Sequence, residues 1–180
     1  MDMIYLDNAA TSFPKPEETY VFMDQFYRSH GVNPGRSGYD LCMETGQLVD
    51  DTRKQLTRFF NGTNPDRLVF AYNSTDALNL ALFGLLSAGD HAITTTVEHN
   101  SVLRPLYHLA QHHGVQVDHV PFDARGFVDP DEVAARFKPT TRVVAINHAS
   151  NVIGTVQPIA EIGRRCRERG IHLVVDASQT

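Results

Sequence analysis

Four polar segments of this sequence hold residue types suited to chemistry: Asn73-Ser74-Thr75-Asp76, Val97-Glu98-His99-Asn100-Ser101, His148-Ala149-Ser150-Asn151 and Asp176-Ala177-Ser178-Gln179-Thr180. Each stands just past a short apolar or β-branched run. Ser74 and Thr75 open an apolar, helix-forming stretch. Unpaired N–H groups and the positive end of a helix dipole there make an anion site suited to a phosphate, although Ser and Thr are also ordinary helix caps. His99 is placed to stack on a planar ligand or to move a proton near neutral pH; the plainer role is that of a polar residue beside a cap formed by Asn100 or Ser101. Asp176 ends the run Leu173-Val174-Val175. A carboxylate at the mouth of a buried strand is costly unless a metal, a cationic ring nitrogen or a helix N-terminus meets it, or unless it serves as a structural cap.

Other candidates point to less. His108, His112 and His113 fall on one expected helix, with 108 and 112 one turn apart. No Glu stands beside them in the zinc-protease arrangement, so a solvated face is the expectation. Cys42 and Cys166 form no CxxC pair, which leaves neither a disulfide framework nor a cysteine zinc cage. Cys166 extends the Ile159–Ile162 stripe and is expected to pack in a core.

The elements that must position these residues follow from the pattern. From Arg67 onward, apolar or β-branched runs (Arg67–Ala71, His91–Thr95, Val115–Pro121, Arg142–Asn147, Ile171–Asp176) alternate with helical stretches (Thr75–Ser87, Ser101–His113, Pro130–Phe137, Pro158–Arg169). Such alternation predicts right-handed βαβ crossovers, a mainly parallel sheet of five strands, and ligands at the carboxyl ends of the strands. Asp129-Pro130-Asp131-Glu132 reads as a capped helix start, and Gly170 closes the last helix. Ala77–Leu86 is apolar nearly all round, which predicts burial on most sides. Before Arg67, a helix from Pro16 to about His30 precedes the glycine-rich loop Gly31–Asp40. A second helix follows, capped by Asp40 and striped with Leu41, Leu48, Leu56, Phe59 and Phe60. The expected division is therefore 1–66, an N-terminal arm with helices, and 67–180, the first part of a ligand-binding α/β domain.

Composition narrows the classes. Among 180 residues, 16 Lys plus Arg face 21 Asp plus Glu, a formal charge of −5, which argues against a nucleic-acid-binding domain. The longest apolar stretch falls short of the ~20 residues a membrane helix needs. With Asp2 and Asp7 early and no basic n-region, the N-terminus does not read as a secretory signal. A cytoplasmic protein without membrane or nucleic-acid partners is the expectation.

In order, Tyr5–Pro16 (YLDNAATSFPKP), Asn33–Gly38 (NPGRSG), Val69–Leu82, Val97–Leu106, Asn147–Ile159 and Val174–Thr180 resemble the class V enzymes that use pyridoxal 5′-phosphate (PLP), most closely the cysteine desulfurases. The resemblance implies an α/β fold, the large domain of the fold-type-I PLP-dependent transferases, here in truncated form. It implies that Ser74 and Thr75 cradle the cofactor phosphate and that His99 stacks on the ring and moves protons. Asn151 and Gln179 are then placed near the ring hydroxyl, and Asp176 pairs with the pyridine nitrogen. It further implies removal of sulfur from L-cysteine, giving alanine and a persulfide, a homodimer when full length, and a sulfur-acceptor protein. A selenocysteine lyase, an aminotransferase or a non-catalytic remnant of the fold are the alternatives.

The chain also departs from the family. The Schiff-base lysine belongs after the segment at Asp176–Thr180, and Lys15, Lys54 and Lys138 match no such motif. Cys42 and Cys166 match no persulfide-forming position. The chain therefore reads as an N-terminal portion, inactive alone. In the family resembled, two strands that come after the lysine separate the first strand from the rest. Here Arg67–Ala71 would lack that neighbour unless it joined the other strands directly, and Ile171–Asp176 would become an apolar edge inviting association.

Overall fold

A computed structural model describes residues 3–36 and 38–180, and the chain divides into two compact units, 1–70 and 71–180. The first contains α1 (Glu17–His30), α2 (Asp40–Phe59) and a 3-10 turn at Pro65–Arg67. The second contains α3 (Ser74–Leu85), β1 (His91–Thr95), α4 (Asn100–His112), β2 (Gln116–Val120), α5 (Pro130–Ala135), β3 (Thr141–Asn147), α6 (Ile159–Glu168) and β4 (His172–Asp176).

The four strands form one parallel sheet in the order β2-β1-β3-β4. Alternate residues of each strand point to opposite faces, so each face carries its own core. On one side Ala92, Val143 and Ala145 pack with Leu78, Leu82 and Leu86 of the α3 segment and Val102, Leu106 and Leu109 of α4. On the other, Ile93, Val144 and Ile146 pack with Val133 of α5 and Ile162 and Cys166 of α6. Cys166 is thus a core residue, and burial pushes its thiol up to about 11. Asp129 caps α5 by accepting from the Asp131 N–H, and Gly170 takes the left-handed conformation that ends α6.

Several expectations are corrected. Arg67–Ala71 is not a strand. Its first residue closes the 3-10 turn, the rest enters no ladder, and Val69 and Phe70 are exposed. Without a neighbouring strand its backbone groups have no ladder to join. Helix α3 is buried on one side only: Leu78 and Leu82 face the core, while Leu80 and Phe83 are exposed. Tyr39, not Asp40, occupies the cap position of α2 and makes no side-chain cap bond; Asp40 is the first helical residue. The stripe expected on α2 is not a core face either, since Leu48, Phe59 and Phe60 are exposed and the buried positions are Cys42, Thr45 and Thr57.

At the amino end of the sheet His91 is fully buried. Its Nδ1 lies 2.8 Å from Thr141 Oγ1, and its Nε2 lies 3.1 Å from Asp118 Oδ2 and 3.2 Å from Lys138 Nζ. The candidate site lies at the opposite, carboxyl end.

Candidate functional site

Asp176, the last residue of β4, is buried, and three donors converge on its Oδ1: the Ser178 N–H at 3.1 Å, Ser178 Oγ at 2.5 Å and Ser74 Oγ at 3.4 Å. Ser178 Oγ is also 2.7 Å from Ser74 Oγ, so the turn after β4 is tied directly to the start of α3. Among the described residues, these donors all meet Oδ1 and none meets Oδ2. At α3 itself, the Asn73 side chain accepts from the Asp76 N–H at 2.9 Å. That cap serves the third helical N–H, and those of Ser74 and Thr75 have no partner within the helix.

His99 caps α4, in place of the expected Asn100 or Ser101. Its Nδ1 accepts from the Ser101 N–H at 3.1 Å and lies 2.6 Å from Ser101 Oγ, which fixes the ring plane. Thr75 and His99 meet at a cavity of about 600 Å³, with Asn79, Phe83, Arg104 and Tyr107 among its lining residues. Asn151 stands in the exposed turn after β3, and Gln179 in the exposed segment after β4. The structure therefore joins Ser74 to Asp176 by hydrogen bonding and Thr75 to His99 across a cavity. It places Asn151 and Gln179 at the same end of the sheet. His108, His112 and His113 do cluster, with ring centroids 4.7 Å (108 to 112) and 5.3 Å (108 to 113) apart, on an exposed face beside Phe83. Among the described residues no group of three His, Cys, Asp or Glu is arranged to hold a metal.

The structure adds residues that sequence reasoning missed. Asn147 ends β3 as Asp176 ends β4, and its Nδ2 donates to the Val97 carbonyl at 2.8 Å, pinning the turn between β1 and His99. Glu98 is buried in that turn and accepts from Thr95 Oγ1 at 2.5 Å. Burial pushes the Glu98 carboxyl up to about 7, opposed by the Thr95 hydroxyl and the Asn147 backbone N–H and reinforced by the charge of Asp176. Asn147 was legible as a polar end to an apolar strand. The burial of Glu98 had no signal in the sequence.

Comparison with known proteins assigns the fold a lineage. The profile of the aminotransferase class-V family matches residues 4–180. The chain belongs to this family. It is 34% identical over 181 residues to the cysteine desulfurase IscS of Dictyoglomus turgidum, covering 98% of this chain and 45% of that protein. It is 34% identical to a probable cysteine desulfurase of Methanothermobacter thermautotrophicus, covering 99% of this chain and 44% of that one. Among solved structures, the apo cysteine desulfurase of Thermococcus onnurineus NA1 superposes with a TM-score of 0.89 at 30% identity, over 97% of this chain and 44% of that one. A structure described as SspA in complex with cysteine gives 0.89 at 27% identity, over 98% and 51%. The fold is thus that of the cysteine desulfurases, and the chain spans less than half the length of the curated relatives it matches.

The residues present fit PLP. A buried carboxylate keeps one oxygen clear of its own donors, suited to a ring N–H. Ser74 and Thr75 open a helix whose first N–H groups have no partner within the helix and suit a phosphate. The cavity of about 600 Å³ is lined by Thr75 and His99 but not by Ser74 or Asp176, so it lies to one side of the carboxylate.

Proposed function

We propose that this chain is the N-terminal part of a PLP-dependent cysteine desulfurase, which takes sulfur from L-cysteine to give alanine and an enzyme-bound persulfide. The observation that carries the reading is the junction of Asp176 with Ser74 at the carboxyl end of the sheet. It brings a charge partner for a ring nitrogen next to a phosphate cradle. When bound, PLP supplies an electron sink for the carbanion formed at the substrate's α-carbon. Asp176 would pair with the ring nitrogen and keep it protonated. Ser74 and Thr75 bind the phosphate with helix N–H groups and hydroxyls. His99, its plane fixed through Nδ1, would cover the ring and exchange protons with it. Asn151 and Gln179 orient the ring hydroxyl.

None of the three lysines is suited to bind the cofactor covalently. Lys138 lies at the amino end of the sheet in an ion pair with Asp118, Lys54 pairs with Asp51, and Lys15 donates to the Ser12 carbonyl. Nor is Cys166 suited to carry a persulfide, since it is buried and its thiol is pushed up. On this reading the 180-residue chain is inactive alone, and the whole protein is a cytoplasmic homodimer that passes sulfur to an acceptor protein.

The test is to express the whole reading frame and measure alanine formed from L-cysteine in the presence of PLP. Turnover is expected, and Asp176→Ala should reduce it by ~10²–10³ with folding intact. Normal turnover in that variant would reduce Asp176 to a structural cap. A frame that stops after Thr180, with no Ser/Thr-Gly-His-Lys-like segment, would instead favour a non-catalytic remnant.

A further inference from the structure

Two buried carboxyls share the carboxyl end of the sheet, and hydrogen-bond donors are divided unequally between them. Asp176 collects the Ser178 N–H, the Ser178 hydroxyl and the Ser74 hydroxyl. Glu98 has the Thr95 hydroxyl on Oε1 and the Asn147 backbone N–H directed toward it, while among the described residues its buried Oε2 meets no donor in hydrogen-bond geometry. Asn147 Oδ1, in the side chain that pins Val97, is likewise buried with no partner. An ionised carboxylate needs donors on both oxygens, and an unmet acceptor in a dry site penalises the charge. A proton on Glu98 removes that charge.

We propose that Glu98 is a positioning residue that carries a proton beside Asp176 and holds the turn before His99 in its neutral form. The division has a chemical use. A ligand cation at Asp176 then meets one counter-charge, and the turn that orients His99 is held without a second anion beside it. The charged group acting on Glu98 is Asp176 of β4; its neighbours from β1 and β3, Thr95 and Asn147, are neutral. The Asp176 charge raises the Glu98 carboxyl, in the direction expected of a like charge. The inference concerns the protein without cofactor, so its outcome is separable from that of the proposed enzyme activity.

The experiment is infrared difference spectroscopy of the 180-residue chain during a pH titration, following the C=O band of a neutral buried carboxylic acid, with Glu98→Gln and Asp176→Asn as controls. In the unmodified chain the band should persist at about pH 6, where ordinary carboxyls are ionised, and disappear with a midpoint near about 7. Glu98→Gln should abolish it. Asp176→Asn should retain it and move its midpoint to lower pH, because the neighbouring charge is gone. Retention in Glu98→Gln, loss in Asp176→Asn or absence from the unmodified chain would overturn the proposal. As the positional readout, the ¹⁵N shift of His99 Nδ1 should be unchanged in Glu98→Gln and altered in Glu98→Asp, which shortens the reach to Thr95. An unaltered Nδ1 in Glu98→Asp would remove the positioning role.

Discussion

Replacing Glu98 with Gln should stabilise the chain at alkaline pH and leave it unchanged in acid. In the folded state burial raises the carboxyl from the ordinary 4.5 to about 7. An acid with a raised folded pKa binds more protons folded than unfolded between those two values. Stability is therefore fully retained below 4.5, falls as pH rises through the window, and is flat above about 7. At 1.36 kcal/mol per tenfold change in proton affinity, the cost of ionising Glu98 in place is ~3 kcal/mol, to order of magnitude. Gln has nearly the same shape and no charge to bury, so the variant escapes that cost. Thermal melts of both proteins from about pH 4 to 9 should show Tm values that coincide in acid and diverge by ~6–12 °C in base, at ~2–4 °C per kcal/mol for a chain of this size. Parallel Tm curves across the range would mean that Glu98 ionises without penalty, and the reasoning from its unpartnered oxygen would fail.

Leu82→Ala, at a fully buried position of α3, should cost ~2–5 kcal/mol in urea unfolding; a change below ~1 kcal/mol would mean that the helix does not dock on the sheet as described. His91 is held below 6.5 by burial and by the Lys138 charge, against the pull of Asp118. Stability should thus be retained above that value and lost as pH falls through the folded pKa, and an NMR titration placing His91 at 6.5 or higher would contradict this. Incubation with PLP followed by borohydride should label the lysines diffusely. A single stoichiometric adduct on Lys15, Lys54 or Lys138 would overturn their exclusion. Because β4 is an edge strand carrying Leu173, Val174 and Val175, sedimentation should show concentration-dependent association, and a monodisperse monomer at high concentration would refute it.

The parallel sheet was legible because His91–Thr95, Arg142–Asn147 and Ile171–Asp176 are apolar runs separated by helices with readable ends, such as Asp129-Pro130 and Gly170. Arg67–Ala71 misled because strand identity depends on a partner, and a five-residue pattern does not say whether one is present. The apolar Ala77–Leu86 misled in a similar way: hydrophobicity all round a helix predicts burial, but only the face carrying Leu78 and Leu82 finds a neighbour here. At the site, Asp176 and Ser74 were visible as residue types at strand ends. Their hydrogen bonding is a fact of topology, bringing together residues more than a hundred positions apart. Glu98 was passed over because a glutamate beside a histidine gives no sign of which one turns inward.

The strand order also bears on how the protein is made. The middle of the sheet, β1 flanked by β2 and β3, is translated before β4, which sits at the edge of these four strands. At synthesis rates of ~5–20 residues per second, Thr95, Glu98 and Asn147 wait some seconds on the ribosome before Asp176 emerges. During that interval Glu98 has no anionic neighbour, and the turn leading to His99 can be assembled around it. Adding β4 then brings in the second carboxyl together with its own donor, Ser178. The nascent chain is thereby spared a stage in which both acids are buried with neither one provided for.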